Sequence, residues 1–408
     1  MYTLKEKTKE QLRVDKDVKA IRAIEKLLNL AVSAEADEIF FEPSENLDVI
    51  FRTGGEVKNK FSLPMKIAPA ILDGLRALAR ENGGKFKQEF KGYKIIFSLT
   101  ISGGRFIINL HKENFSLLSL NRLGLSGKNL ELVKKNLAGK KGLTLVLGEF
   151  NSGRTTTLYS FLHYLSNPGL NLATLENNVI FDLPEINQSR LDPLSGYNFA
   201  QGLNSLRRQD IDGAMIAEII DQETAEAAMR LAAAGHFVLA GLHARDLPSA
   251  LSFFHDSSTP LNLFSDTAKL IITQSLAEKN CPHCLKAKKI GADSLKKLAA
   301  KINLKKILPR LRDDKIISAK IKKPEDLVFY KSSGCPHCHD SGTDGRIGIF
   351  EVLRMTPEVK KIIKSGHFSL LRAEAGKQDN YSLVEDVLIK ALQGLTSLEE
   401  LFKVIDSR

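Results

Sequence analysis

The stretch LTLVLGEFNSGRTTTLYSF, residues 143–161, constrains the fold of this chain more than any other segment. A short apolar run leads into a glycine-containing loop, and the residues after the loop suit a helix. The phosphate-binding pattern G-x-x-x-x-G-K-[ST] has this form. Gly148, Gly153 and Thr155 match the pattern, whereas Arg154 stands in place of the lysine. The sequence therefore predicts a strand, loop and helix of the kind that binds phosphate.

Such a loop aims backbone N–H groups and a helix N-terminus at one point, which attracts phosphate. The Thr155 hydroxyl would hold Mg²⁺. Arginine is a wide planar fork, and the usual lysine is a slim point charge, so Arg154 would neutralise phosphate but misplace charge during transfer. An ordinary glycine turn before a helix is the alternative interpretation. The candidate nucleotide-binding residues are Gly148, Asn151, Ser152, Gly153, Arg154, Thr155 and Thr156.

Apolar strands and helical patterns alternate after this loop. NLATLE, GAMIAEII and HFVLAGLH are apolar, and the segments between them, such as DQETAEAAMRLAAAG, have helical spacing. This alternation predicts a mostly parallel sheet with helices on both faces. Residues 17–118 combine strands and helices differently, with turns at Gly54-Gly55 and Gly103-Gly104, and predict a small α+β domain.

All four cysteines lie in two Cys-Pro-His-Cys sequences. A C-x₂-C pair directs two thiolates at one point, and two such pairs complete a tetrahedron around zinc. A redox C-x-x-C or inert core cysteines are the alternatives, but two matching copies with no cysteine left over favour a metal. His283 and His337 are expected outside the coordination. The predicted zinc ligands are Cys281, Cys284, Cys335 and Cys338.

The net charge of +11 resides in one segment. Residues 285–323 contain fourteen Lys or Arg and three Asp, and the rest of the chain is neutral. A nucleic-acid-binding surface spread over the protein is therefore not supported, and the segment has no aromatic residue to stack on bases. The Leu and Ile spacing in KKLAAKINLKKIL fits a helix whose apolar stripe contacts an acidic partner or an anionic membrane. A solvated helical excursion without a ligand is the alternative.

Two features of the sequence bear on its compartment. No apolar run reaches the length that crosses a bilayer, and the amino terminus is charged, without the apolar stretch of a signal peptide. We therefore expect the protein to be located in the cytoplasm.

From Leu123 onward the sequence resembles the type II secretion and type IV pilus assembly ATPases, a family of hexameric RecA-like motors. The similar blocks include the loop, EINQSRLDPLSGYNFAQGLNSLRRQD, the two Cys-Pro-His-Cys pairs and GRIGIFEVLRMTPEVKKII. ADEIFFEP and VIFRTGGEV resemble, more weakly, the domain before the core. The resemblance implies an α/β protein with a RecA-like P-loop core and a parallel sheet. A small PAS-like α+β domain would precede this core, and a zinc-knuckle insert and a helical C-terminal part would follow it.

The resemblance also implies a division of the chain into five ranges. They are a charged N-terminal segment at 1–16, the α+β domain at 17–118, the ATPase core at 119–280, the tetracysteine subdomain with its basic excursion at 281–340, and the helical C-terminal subdomain at 341–408.

Catalytic roles follow from the same resemblance. Glu176 would prepare the attacking water, Glu218 would hold Mg²⁺, and His243 would be the histidine of the family's histidine box. Asn109 and Ile96 stand where the small domain supplies arginines to a neighbour's γ-phosphate, and Ile220 replaces another arginine. One arginine finger is worth on the order of 10³–10⁵ in rate, so hydrolysis should be slow.

The implied function is that of a pilus assembly or protein secretion ATPase with ATP, Mg²⁺ and Zn²⁺ as ligands. We expect it to bind ATP with impaired hydrolysis, in a homo-hexamer or in a hetero-hexamer with an active paralogue. Its position would be peripheral at the inner face of the cytoplasmic membrane, on an inner-membrane platform protein. A fully active motor is the alternative, and a nucleic-acid-associated protein using the basic segment is a weaker one, since no dedicated nucleic-acid binding is expected.

Overall fold

The computed structural model describes residues 15–34, 36–53, 56–80, 84–90, 93–113, 118–166, 169–191 and 198–406. The chain separates into two compact units, Met1–Asn114 and Phe115–Arg408. The turn predicted at Gly54-Gly55 and most of the charged N-terminal segment lie outside the described residues. Within the described ranges, no helix has the length and apolarity needed to cross a membrane.

Within the described residues, the first unit is an antiparallel sheet with two helices. In chain order its elements are α1 Asp15–Ser33, β1 Glu38–Pro43, β2 Leu47–Thr53, β3 Glu56–Leu63, α2 Ala68–Arg80, β4 Lys85–Phe90, β5 Tyr93–Ser102 and β6 Arg105–Glu113. The strand order is β3-β2-β1-β6-β5-β4. Alternate residues of the inner strands and the apolar faces of both helices form one core. Gly103 and Gly104 join β5 to β6 with positive φ, so this predicted turn and the small α+β domain are confirmed.

The second unit carries the remaining strands and α-helices of the described residues. Its strands are β7 Gly142–Gly148, β8 Leu172–Glu176, β9 Asn187–Arg190, β10 Gly213–Ile219, β11 Phe237–His243, β12 Ala268–Asn280, β13 Leu285–Lys289, β14 Val328–Ser332 and β15 Thr343–Arg354. Its α-helices are α3 Gly127–Ala138, α4 Arg154–Leu165, α5 Phe199–Leu206, α6 Gln222–Ala233, α7 Leu247–Asp256, α8 Leu261–Thr267, α9 Ala292–Lys301, α10 Leu304–Asp313, α11 Pro357–Ser365, α12 Leu371–Ala375, α13 Leu383–Leu392 and α14 Leu398–Asp406.

A seven-stranded sheet in the order β15-β12-β7-β11-β10-β8-β9 forms the centre of this unit. Its neighbouring strands are parallel except β12 and β15. Leu145 and Val146 of β7 belong to different apolar clusters, one shared with α6 and α7 and the other with α3 and α4. Because successive strand residues point to opposite faces, helices cover both sides of the sheet. The predicted parallel α/β core is confirmed.

The segment after β12 forms the tetracysteine subdomain. β13 and β14 pair antiparallel, and α9 and α10 follow β13. Leu298, Ile307 and Leu308 are buried in a core shared with α13 and α14. The apolar stripe of KKLAAKINLKKIL therefore packs inside the protein, and its interpretation as a contact surface for a partner or a membrane is wrong.

The C-terminal part is helical after Thr356, as the sequence predicts. β15 lies before these helices and forms an edge of the central sheet, paired with β12 from Leu270–Arg354 to Asn280–Thr343. The sequence assigns β15 to the C-terminal subdomain, so in the structure that segment contributes to the same sheet as the phosphate-loop strand.

Candidate nucleotide-binding site and cysteine cluster

Several parallel strands end at one edge of the central sheet and bring predicted site residues to it. β7 ends at Gly148, β8 at Glu176 and β11 at His243, and Glu218 is the last residue but one of β10. Gly148 and His243 are paired directly in the register of β7 and β11. Carboxyl ends of parallel strands are where open α/β sheets bind ligands, so this edge is the candidate site.

The loop after β7 has a tightly defined backbone. Asn151 has φ 59° and Gly153 has φ 83°, both in the left-handed region, and Gly153 directly precedes α4. A Cβ at Gly153 would lie 2.9 Å from Nε2 of Gln274, so this position requires glycine on two counts. Thr155 and Thr156, in the first turn of α4, are half-buried. The loop is therefore formed by contacts within the protein itself.

Gln274 of β12 fastens this loop to the sheet. Its Nε2 donates to the carbonyl of Ser152 at 2.7 Å, and its Oε1 accepts from the Thr157 hydroxyl at 2.7 Å. Gln274 is buried. The sequence analysis did not single it out, and its one available signal was an amide residue inside the apolar run KLIITQSL.

Arg154 bonds to the loop and to the neighbouring strand. One terminal nitrogen donates to the carbonyl of Gly148 at 2.7 Å, and the other donates to Oε1 of Glu218 at 2.9 Å. The two side chains of the ion pair are 13% and 29% exposed. Burial lowers the pKa of Arg154 and the Glu218 carboxylate opposes that change. Two predicted site residues, the cation of the loop and the carboxylate of β10, thus bind each other.

Glu176 is fully buried. Its carboxylate accepts hydrogen bonds from the Tyr159 hydroxyl, from the Thr174 hydroxyl at 2.6 Å and from Nε2 of Gln188 at 3.3 Å. Burial and the adjacent Glu176 charge raise the pKa of Tyr159, which keeps that phenol a donor. The residue predicted to prepare the attacking water therefore has protein partners for both oxygens.

The remaining predicted positions lie apart from this network. His243 is exposed, and its ring lies 4.2 Å from that of Phe150 in the loop. Ile220, just after β10, is 55% exposed. In the first unit Asn109 is half-buried and Ile96 is buried, so Ile96 does not present a side chain to another subunit.

The four cysteines come together, and their ligand atoms all lie within 4.8 Å of one another. Each Cys-Pro-His-Cys sequence makes a single 3₁₀ turn, Pro282–Cys284 and Pro336–Cys338. The Sγ atoms are 4.0 Å apart for Cys281–Cys335 and for Cys284–Cys338, and 3.7 Å apart for Cys335–Cys338. Zinc–sulfur bonds of about 2.3 Å in a tetrahedron imply sulfur–sulfur distances of about 3.8 Å. The cluster could hold a metal ion of that kind.

The surroundings of the cluster favour a thiolate at one of its positions. Burial raises the pKa of Cys281 to about 11. At Cys338 burial opposes ionisation, but N–H donors from Gly342 and Cys335, each 3.3 Å from Sγ, lower the pKa to about 6. The rings of His283 and His337 contact each other with centroids 3.9 Å apart and planes tilted by 45°, and neither residue belongs to the sulfur cluster.

A mostly parallel sheet with a phosphate-loop-shaped turn after one strand, and acidic side chains at neighbouring strand ends, defines a RecA-like P-loop core. The chain belongs to the type II/IV secretion system protein family, whose profile matches residues 13–403. It is 31% identical over 403 residues to the type IV pilus assembly ATPase PilB of Pseudomonas aeruginosa, covering 95% of this chain and 68% of that protein. It is 27% identical over 406 residues to the type II secretion system ATPase E of Vibrio cholerae, covering 96% and 76%.

Solved structures show the same fold at lower identity. The pilus retraction motor PilT with bound ADP has a TM-score of 0.56 and 19% identity, over 93% of this chain and 95% of that one. The ATPase DotB of Legionella pneumophila has a TM-score of 0.58 and 17% identity, over 94% and 95%.

Proposed function

We propose that this protein is a nucleotide-binding member of its family with impaired hydrolysis, acting in pilus assembly or protein secretion. The observation that carries the proposal is the position of Glu176, fully buried and bonded to Tyr159, Thr174 and Gln188. A carboxylate enclosed in this way does not orient a water for attack on a phosphate. The preformed loop supports binding, because its backbone groups do not depend on Glu176.

The charges near the loop support the same conclusion. Phosphoryl transfer is catalysed by positioning and by stabilising negative charge. Arg154 is committed to Glu218, and Ile220 and Asn109 supply no cation. A transferring phosphate would thus meet an Arg154 charge that it shares with Glu218, and it would meet no charge from positions 220 and 109.

The resemblance supports the proposed assembly, and the names of the relatives, which are pilus assembly and secretion ATPases, support the proposed process. The protein would form a homo-hexamer, or a hetero-hexamer in which an active paralogue supplies the turnover. It would act in the cytoplasm, at the inner face of the cytoplasmic membrane, on an inner-membrane platform protein.

Zinc is the proposed metal of the cysteine cluster. Four sulfurs at 3.7–4.0 Å for the closest pairs match the edge of a zinc tetrahedron, and N–H donors to Cys338 are typical of a thiolate ligand. Cys281, Cys284, Cys335 and Cys338 would be the ligands.

ATP affinity and steady-state phosphate release of the purified full chain test the function, with Pseudomonas aeruginosa PilB as the active reference. We expect measurable binding, phosphate release at least about a hundredfold below the reference, and no further loss in Glu176→Gln. Absence of ATP binding would contradict the proposal.

A working motor is the second candidate, and one observation favours it: Glu176, Glu218 and His243 lie at one sheet edge beside the loop. Brisk phosphate release that Glu176→Gln abolishes would establish this candidate and reject impaired hydrolysis.

A further inference from the structure

We propose that Arg154 performs inside this protein the charge neutralisation that a divalent cation provides in related sites, so that nucleotide binding does not require Mg²⁺. The inference rests on the proposed nucleotide binding. It concerns one pair of residues, Arg154 in the first turn of α4 and Glu218 near the end of β10.

The guanidinium is fixed at both ends of its fork. Bonds of 2.7 Å to the Gly148 carbonyl and 2.9 Å to Glu218 hold it between the last residue of β7 and the end of β10. Guanidinium has five N–H donors in a rigid plane, and these bonds use two of them. The three remaining N–H donors are available to a phosphate that enters the loop, and that phosphate would share the guanidinium charge with Glu218. Arg154 would then contact phosphate and Glu218 at once, which is the bridging role of a metal ion.

The same arrangement does not fit a bound Mg²⁺. Mg²⁺ needs near-octahedral oxygen ligands at about 2.0–2.1 Å and dehydrates reluctantly. The protein ligands expected for it are the Thr155 hydroxyl and the Glu218 carboxylate. Glu218 is committed to Arg154, and a cation placed there would meet the guanidinium as a like charge. Separating the pair would also leave Arg154, which is only 13% exposed, without its carboxylate.

Lysine at position 154 would not reproduce this geometry. A single ammonium on a flexible stem is a point charge and lacks the planar fork that spans Gly148 and Glu218. Arg154→Lys should therefore release Glu218 and restore the need for a metal. Arginine in place of lysine at position 154 would thus determine the metal dependence of nucleotide binding as well as the rate of hydrolysis.

Equilibrium binding of ATP, as its sodium salt, tests the proposal on the full chain. Binding is measured in buffers freed of divalent ions by resin and then with excess Mg²⁺, because a chelator would also extract a metal from the cysteine cluster. Arg230→Lys, on the exposed face of α6, is the matched control. Thermal unfolding of each variant shows that it is folded.

We expect the affinity of the parent and of Arg230→Lys to change less than about threefold with Mg²⁺, whereas Arg154→Lys should gain about tenfold or more, equivalent to about 1.4 kcal/mol. A parent that gains tenfold with Mg²⁺ overturns the inference while leaving nucleotide binding intact. A parent that binds under neither condition overturns the proposed function as well. The ATP affinity of the parent with and without Mg²⁺ tests the inference even if Arg154→Lys does not fold.

Discussion

Arg154 and Gly153 are adjacent, and each fixes a different property of the loop. Gly153 allows the backbone to turn with φ 83° against Gln274. Arg154 then points its guanidinium back to Gly148 and across to Glu218. The conformation of the loop therefore depends on Gly153, and its charge balance depends on Arg154.

Gly153→Ala should abolish nucleotide binding. The new Cβ would be in a left-handed conformation that costs roughly 1–2 kcal/mol, and it would also press on Gln274, which holds Ser152 and Thr157. Gly235→Ala is the control, since its φ is 102° but a Cβ there has no atom within 4 Å. ATP affinity and melting temperature are measured for both. Equal losses of binding in the two variants would contradict a specific role for the contact with Gln274.

The sequence predicts the strand endings that form the site better than the contacts made there. Apolar runs locate β7, β8, β10 and β11, because buried parallel strands need continuous apolar residues. The burial of Glu176 could not be predicted, since it depends on Tyr159 from α4 and Gln188 from β9, which carry no motif. The pairing of Arg154 with Glu218 likewise joins residues 64 positions apart in the chain.

The two cysteine turns form an element whose stability should depend on metal. They bring the start of β13 next to the approach to β15, across a segment whose Leu298, Ile307 and Leu311 pack in the core shared with α13 and α14. Without zinc, no covalent bond would link the four sulfur atoms. Metal binding in such a site contributes folding free energy.

Purified protein should therefore contain about one zinc per chain by elemental analysis. Cys284→Ser should lower the zinc content and increase protease cleavage within residues 281–340. Ser333→Ala, a nearby change outside the sulfur cluster, is the control. A protein purified without chelator that contains no metal would refute the assignment.

At the scale of the whole molecule, the proposed ring would place a first unit against the core of a neighbour. Head-to-tail contacts of one kind close into a ring when the rotation between subunits is right. The resemblance implies that an arginine of the first unit serves the neighbour's phosphate in active members, and Asn109 of β6 occupies that position here. ATP hydrolysis would then depend on residues of two subunits, position 154 of the subunit that binds the phosphate and position 109 of its neighbour.

The double variant Arg154→Lys with Asn109→Arg should accordingly release phosphate faster than the product of the two single effects. Both changes act on the same transition-state charge, and such effects are not additive. Asn59→Arg, the same change on exposed β3 of the first unit, combined with Arg154→Lys is the matched control.

Rates are measured on the ring fraction and on the monomer fraction from size-exclusion chromatography. We expect the gain in the ring fraction of the Asn109→Arg double variant and no gain in its monomer fraction or in the Asn59→Arg control. A gain that appears equally in the monomer would show that position 109 acts within one chain, and a protein that stays monomeric with nucleotide and with a paralogue present would remove the ring from the proposal.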